Sequence, residues 1–499
     1  MNFPRCLRRS VLPAAAVVAF VVGGGVSGGG GGAGLWIGPA SGSVMAGEIQ
    51  AGAAIHSIMP KKLPISVNGG FADRMIAEVH DPLHARCIVL SDGVTKVALV
   101  VADSCMLPRE ILDPAKKLAS EKTGIPASNI LISATHTHSA PTAGSVFQSD
   151  PQPEYLEQLP GDLAAGIEQA ASRLEPAEFA FARGTDGEQV FNRRWKTKPE
   201  TVNLNPFGGR DAVATNPGYN RGDLIEMAGP IDPEICMIYI RSVTGRPIAL
   251  WSNYSLHYVG DVGGISADYF GVYCDRMTQL LKAADAQPPF VAAMSNGTSG
   301  DINNHFFSGP VQASAPVFGR CTLVAESVAK ASLAGLSGEL KFHREATFAV
   351  AEEEMTLGVR KPTPEELERA KKILAAAAAA GKTVLQTSAE VYARESVKLA
   401  DYPDTVTLKL QAMRLGDIGV CAIPCEVFCE IGLELKAKSP LRNTFTVSLA
   451  NGYNGYLCTP RQHGYGGYET WRARSSYLEV DSSPRITASL LRLLDAVSK

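Results

Sequence analysis

The 499-residue sequence has little with which to grip a polyanion. Its 47 lysines and arginines are balanced by 50 aspartates and glutamates, for a net charge of -3, and no basic block or Lys/Arg-rich helix stands out. Nucleic acid is therefore not an expected partner. Nor does the sequence require a disulfide framework, although export would permit one. Of ten cysteines, Cys6 falls in the leader, and the other nine are scattered and odd in number, so they cannot all pair internally. Cys421, Cys425 and Cys429 recur every fourth residue, but that run crosses a strand-to-helix boundary expected at Pro424. Buried free thiols are the expected reading there, not a metal cluster. The apolar run over residues 11–22 is mostly small, broken by Pro13 and too short for a comfortable membrane span. It follows Arg5, Arg8 and Arg9 and leads into the glycine tract at 23–34, which makes residues 1–46 a secretory signal and glycine-rich leader, with an uncleaved anchor as the alternative. The protein is thus expected to be exported: periplasmic, secreted or tethered to a membrane through this segment. No internal repeat and no long polar linker is visible, so residues 47–499 read as one large domain.

What is present is ordinary globular material, 45% hydrophobic and 19% charged. Strand-like and helix-like segments alternate without segregation. Strands are expected at 96–103, 129–134, 234–240, 247–252, 290–294, 405–415, 419–423 and 444–449. Helices are expected at 109–123 (ended by Gly124), 154–172, 267–283, 363–380, 426–436 and 486–496. The pattern gives an α/β (mixed α and β) fold, a single large domain with mixed sheets flanked by helices. Residues 196–229 are rich in Asn, Pro and Gly and read as a long ordered loop serving a site.

The segment Ser133-Ala-Thr-His-Thr-His-Ser-Ala-Pro141 is the most telling stretch of the chain. It leaves a buried, β-branched strand, and side chains two apart on an extended chain point the same way. His136 and His138 can therefore look into one pocket, as metal ligands, as proton carriers, or with one of them merely packed. Other polar residues interrupt apolar runs at strand ends. His257 follows Ile248-Ala-Leu-Trp-Ser-Asn-Tyr-Ser-Leu, and Glu426 follows Ile423-Pro-Cys, where a helix start would favour its ionised form. The loop Asn451-Gly-Tyr-Asn-Gly-Tyr adds phenols among glycines, which let backbone approach closely.

Together these segments resemble the neutral ceramidase family, the zinc-dependent neutral/alkaline non-lysosomal amidases, in the same order along most of the chain after the leader. Thr135-His-Thr-His-Ser-Ala-Pro resembles that family's T-H-T-H-S-G-P, and Phe191-Asn-Arg its N-R segment. The segment from Trp251 to His257 stands where the second histidine ligand falls. Pro424-Cys-Glu426 resembles P-G-E, and Asn451 to Tyr456 followed by Tyr468-Glu469 resembles N-x-Y-x-x-Y and a later Y-E. The resemblance implies that His136, His257, Glu426 and Tyr456 hold zinc, that His138 shuttles protons, and that Arg193 and Tyr468 steady an oxyanion. Two nitrogens, a carboxylate and a phenol leave room for water on a catalytic zinc, which lowers that water's pKa to about 7. The implied activity is hydrolysis of an amide bond, in ceramide or a related N-acyl lipid, by attack of zinc-bound water, with peripheral membrane contact as an implied partner.

The family's G-D-V-S-P-N corresponds to Gly300-Asp-Ile-Asn-Asn304, so Asn303 replaces a serine often assigned an essential role and is retained as a substrate-binding candidate. The resemblance extends over the family's catalytic domain, and no counterpart to the immunoglobulin-like domain common in full-length members is expected from the residues up to Lys499. The substrate is left open: a zinc hydrolase of a non-lipid amide or ester and a non-catalytic binding protein are the alternatives. Asp103 is expected either behind a histidine or in a turn. Asp301 and Asn304 are expected to cap a turn, Tyr453 and Tyr465 to pack, and Trp195 to line a pocket or sit in the core.

Overall fold

A computed structural model describes residues 47–260 and 262–499. The leader expected at 1–46 lies outside the described residues. Twelve strands carry the architecture. Eight form one hydrogen-bonded sheet: β1 (Gln50–Ser57), β2 (His84–Ser91), β3 (Lys96–Ala102), β4 (Ile130–Ala134), β5 (Glu175–Thr185), β6 (Glu234–Ser242), β7 (Pro247–Tyr254) and β8 (Val291–Asn296), in the order β8-β7-β6-β5-β1-β2-β3-β4. Its middle is thin, because β1 and β5 pair only through Gln50–Pro176 and Ala51–Glu175. The sheet is thus two four-stranded halves hinged at one point. A separate sheet holds β9 (Phe348–Gly358), β10 (Thr405–Leu415), β11 (Ile418–Ala422) and β12 (Asn443–Val447), in that order.

The three four-stranded groups share one topology. In each, the first three strands run antiparallel and the fourth lies parallel to the third: β3 with β4, β7 with β8, β11 with β12. A parallel pair needs a crossover. One helix supplies it each time, α1 (Arg109–Thr123), α3 (Asp268–Leu280) and α7 (Cys429–Lys438), and a further helix follows the fourth strand, α2 (Pro153–Ala171), α4 (Gly319–Leu336) and α9 (Ser482–Ser498). The third group also carries α5 (Pro364–Ala379) and α6 (Ser388–Ala400) between its first two strands, and α8 (Pro460–Tyr465) before its last helix. No described helix is long and apolar enough to cross a membrane.

The groups bury their inner faces against one another. One core cluster combines Val97, Leu99 and Leu131 from the first, Ile238, Trp251 and Val291 from the second, and Met413, Val420 and Phe445 from the third. Strand ends are laced across the groups. The Asn296 amide donates to the Thr135 carbonyl (3.0 Å), Ser448 N–H to Asn296 (3.0 Å), and Asn451 N–H to Ile132 (2.8 Å). This lacing brings together the chain just beyond β4, β7, β8, β11 and β12.

Local signals explain individual elements. Gly124 ends α1 with φ of 71°, a left-handed conformation that costs glycine nothing. Thr363 and Glu366 form a reciprocal capping box at the start of α5. One expectation fails: Glu426 does not open a helix. Glu426–Val427 is a two-residue strand, parallel to Tyr456–Leu457, and α7 begins three residues later. The turn at Pro424 leaves room for this short ladder before the helix starts. Residues 196–229 are more than a loop, because they contain Val213–Thr215 and Leu224–Met227, which flank Arg194–Thr197 in a small antiparallel sheet. The nine described cysteines are buried, and no disulfide joins any two of them.

Candidate active site

Each four-stranded group sends one donor to a common point. His136 lies two residues beyond β4, His257 three beyond β7, and Glu426 four beyond β11. His136 takes φ of 74°, unusual for a residue with a Cβ, and its N–H donates to the Ser104 carbonyl at 2.8 Å. All three side chains are at least 96% buried. His136 Nε2 is 3.1 Å from His257 Nε2 and 3.2 Å from Glu426 Oε2, which is 3.9 Å from His257 Nε2.

The backs of the imidazoles are tied down. His136 Nδ1 lies 2.7 Å from the Cys105 carbonyl and His257 Nδ1 3.1 Å from that of Ser299. A carbonyl only accepts, so both Nδ1 atoms carry the proton, and the Nε2 lone pairs face each other. Two lone pairs and a carboxylate oxygen pointing at one spot repel unless a cation joins them. Glu426 Oε2 is buried without any hydrogen-bond partner, while Oε1 accepts from the Tyr453 hydroxyl at 2.9 Å. Ligands at about 2.0–2.2 Å from a tetrahedral ion stand about 3.3–3.5 Å apart. The observed separations suit that spacing, so these residues fit a divalent metal of the zinc type. A proton competes with a cation for His136 Nε2: burial opposes a charge on the ring, but Glu426 and Cys105 raise its pKa well above the ordinary imidazole value. Burial likewise opposes ionisation of Glu426, but His136 and Arg193 keep its pKa below normal. Burial, with the charges of Arg193 and His136 adding to it, holds His257 neutral.

His138 stands beside this trio. Its Nε2 is 3.1 Å from His136 Nε2, its ring stacks on Tyr258 at 3.5 Å, and burial with the neighbouring His136 keeps its pKa well below 6.5. Its second ring nitrogen, Nδ1, is buried without a hydrogen-bond partner. Gly69 makes this ring position possible, because a Cβ there would fall 2.5 Å from the His138 ring. Tyr456 is the register partner of Glu426, and its hydroxyl accepts from Arg193 Nη2 at 3.1 Å. Burial and the Glu426 charge push the Tyr456 pKa well above 10, so it is a neutral phenol here. His136, His138, Glu426, Tyr453, Tyr456 and Tyr468 line one cavity of about 20 Å³, room for an ion or a water.

Arg193 reaches the site through Tyr456. Its Nε donates to Glu469 Oε1 at 2.8 Å and its Nη2 to the Gly300 carbonyl at 2.8 Å. Arg194 donates to the other oxygen of Glu469 at 2.6 Å, and so does Thr215 at 2.7 Å. Glu469 is thus the buried anchor of two arginines, a role the sequence did not signal beyond its place next to Tyr468. Asn303 is not drawn into the cavity wall. Its amide nitrogen donates to Asn216 at 2.6 Å, and its oxygen accepts from His305 N–H at 2.9 Å. Asp103 sits behind no histidine ring, because its Oδ2 accepts from Arg86 (2.6 Å) and from the His84 backbone (2.9 Å). Asp301 accepts from Cys429 N–H and from the Asn192 amide, Trp195 is core, and Tyr453 does more than pack, since it steadies Glu426.

No family model matches the chain. Three relatives align with about half of it: neutral ceramidase B of Dictyostelium discoideum (22% identical over 271 residues, 51% of this chain and 35% of the relative), neutral ceramidase A of the same organism (21%, 51% and 34%), and neutral ceramidase of Mycobacterium tuberculosis strain ATCC 25618 / H37Rv (22%, 50% and 38%). The chain thus matches little more than a third of the length of these curated relatives. The fold is shared more widely. The crystal structure of neutral ceramidase from Pseudomonas aeruginosa superposes with a TM-score of 0.64 at 16% identity, covering 90% of this chain and 74% of that one. A structure described as ceramidase complexed with C2 gives 0.63 at 15% identity, covering 90% and 75%.

Proposed function

Taking this chain as a distant member of the neutral ceramidase family, we propose that it hydrolyses the amide bond of an N-acyl lipid, ceramide or a close relative, with zinc held by His136, His257, Glu426 and Tyr456. A bound zinc ion would polarise the scissile carbonyl and make water nucleophilic near neutral pH. The chain's own residues supply the rest. His138 is neutral and faces the trio, so it takes a proton at Nε2 and returns it to the departing amine. Arg193, fixed by Glu469 and Gly300, carries a positive charge to the Tyr456 hydroxyl and favours negative charge developing nearby. The Tyr468 hydroxyl joins the same cavity wall as a second donor. The tight cavity limits water around the reacting atoms, which strengthens each of these interactions.

One observation carries the reading: two imidazole lone pairs and an otherwise unpartnered carboxylate oxygen meet at metal-ligand spacing in a buried site. The test is metal analysis of the purified protein with hydrolysis of a fluorogenic N-acyl panel, before and after chelation and zinc return. Bound zinc with chelator-sensitive cleavage of N-acyl lipids is expected. Zinc without turnover of any amide or ester would leave only a binding protein, and cleavage confined to short soluble amides would remove the lipid.

A further inference from the structure

A second cleft, of about 420 Å³, shares Gly69 and His138 with the cavity of the metal ligands. That volume falls within the range of about 300–1,000 Å³ typical of small-molecule sites. Gly70, Gly260 and Gly263 leave the walls bare, Val262 and Val317 make them partly apolar, and the ring of Tyr258 lies against His138. Arg74 is the only charged residue lining this cleft among the described residues. Its Nη2 donates to the His138 carbonyl at 2.5 Å and to the Asn68 carbonyl at 3.2 Å, which fixes the guanidinium beside the histidine. Its Nε and Nη1 donors bond no described residue, and the side chain is exposed to the cleft's solvent.

We propose that this cleft receives the amine half of the substrate, and that Arg74 selects amines bearing an anionic group, a carboxylate or a phosphate. The inference rests on the amidase reading above. A proton donor must stand within hydrogen-bond reach of the nitrogen it protonates, so the remainder of the leaving amine continues into the space next to His138. There Nε and Nη1 each offer an N–H on separate edges, because Nη2, which both paired edges share, is taken by the two carbonyls. A hydroxyl accepts such an N–H as a neutral partner, whereas a carboxylate or phosphate accepts it with charge assistance. An N-acyl amino acid or an N-acyl aminoalkyl phosphate therefore suits the cleft better than a neutral sphingoid amide.

The experiment uses the zinc-loaded full-length protein with three amides of equal chain length: N-dodecanoylglycine, N-dodecanoylethanolamine phosphate and neutral N-dodecanoylethanolamine. At least one anionic amide should exceed the neutral one in kcat/KM by about 10- to 100-fold, the worth of one hydrogen bond to a charged group, and which one it is identifies the anion. In R74M the ratio should fall toward one, with the change in KM more than in kcat, and R74K should recover part of it. Equal rates or a neutral preference in the wild type would overturn the inference. So would an equal loss on all three amides in R74M, which would mean that Arg74 acts only by bracing His138. Calorimetry separates this from failure of the amidase reading. If none of the amides is cleaved but the anionic ones bind in an Arg74-dependent way, the cleft assignment stands and the amidase does not. If they bind no better to wild type than to R74M, the assignment falls.

Discussion

Replacing Glu426 by glutamine removes one negative charge and almost no volume. Glu426 is 4% exposed, its Oε1 would still accept from the Tyr453 hydroxyl, and the fold around it need not move. What is lost is attraction for a dication. A carboxylate oxygen about 2.1 Å from a divalent ion gains about 4 kcal/mol even with the full screening of bulk water, by 332 × 2/(80 × 2.1). Screening in this buried trio is weaker, but desolvation of the ion and the carboxylate offsets part of the gain, so the figure sets the scale of the loss at about a thousandfold in affinity. The assay is competition for zinc against a fluorescent chelator, with thermal unfolding measured with and without added zinc. Wild type should melt higher with zinc, because a ligand bound only to the native state stabilises it by mass action, and E426Q should show little shift at the same zinc concentration. Glu469→Gln is the control. It also removes a buried carboxylate, but one bound to Arg193 and Arg194 and not to the imidazoles, so zinc binding should survive. An E426Q variant that holds zinc as tightly as the wild type would refute the ligand assignment.

Three further outcomes are expected. E469Q leaves two buried guanidinium groups short of their shared partner, so it should lose about 3–5 kcal/mol of stability in urea unfolding, and a loss under 1 kcal/mol would contradict this. Gly69→Ala puts a methyl against the His138 ring at a φ of 108°, so kcat should fall on the order of 10- to 100-fold with zinc content unchanged, checked by paired kinetics and metal analysis. Lys116 is buried against Asn451, and burial first, then the Lys409 charge, lower its pKa to about 7. In the unfolded chain it keeps its proton to about 10.4, so the unfolded state binds more protons across that window and stability contributed through this residue rises with pH from about 7 to 10.4. The wild type should therefore gain about 3 kcal/mol relative to K116M between pH 7 and 9.5, measured as the difference between their urea midpoints at the two pH values.

Residues that sit on strands and carry their meaning locally were legible in the sequence. The run before Ser133 is apolar and β-branched, so the strand and the two histidines beyond it follow from pattern alone, and the helix ending at Gly124 is found residue for residue. Glu426 stands beside His136 and His257, but not for the local reason its sequence context offered. Its low pKa is due to His136 and Arg193, and its position depends on pairing with Tyr456, thirty residues away, which no window of sequence contains. Tyr453 and Glu469 were missed for the same reason: each holds a site residue through a contact made only after distant segments meet. Asn303 shows the converse. Its place in a family motif suggested a substrate contact, but both ends of its amide are taken by Asn216 and His305.

The threefold recurrence of the antiparallel-antiparallel-parallel strand order was invisible for a deeper reason. Topology is set by which strands pair, and apolar residues of many kinds satisfy the same pairing, so three groups can share a path without sharing letters. The recurrence nonetheless explains the site. In sheets with parallel pairs, the carboxyl ends of the strands leave backbone groups unpaired and loops free to vary, and that is where ligands gather. Here three such ends are tied to one another by Asn296, Ser448 and Asn451. A donor from each group then reaches the same point without any one loop spanning the molecule: an imidazole from the first, an imidazole from the second, a carboxylate from the third. It follows that cutting a tie should harm the metal site at a distance. Asn296→Ala removes the amide that holds the Thr135 carbonyl, next to His136, yet touches no metal ligand. It should weaken zinc binding by roughly 10- to 100-fold, the scale set by loss of a group that orients a ligand, and unchanged affinity in a folded N296A protein would show that the three ends hold the site without being tied.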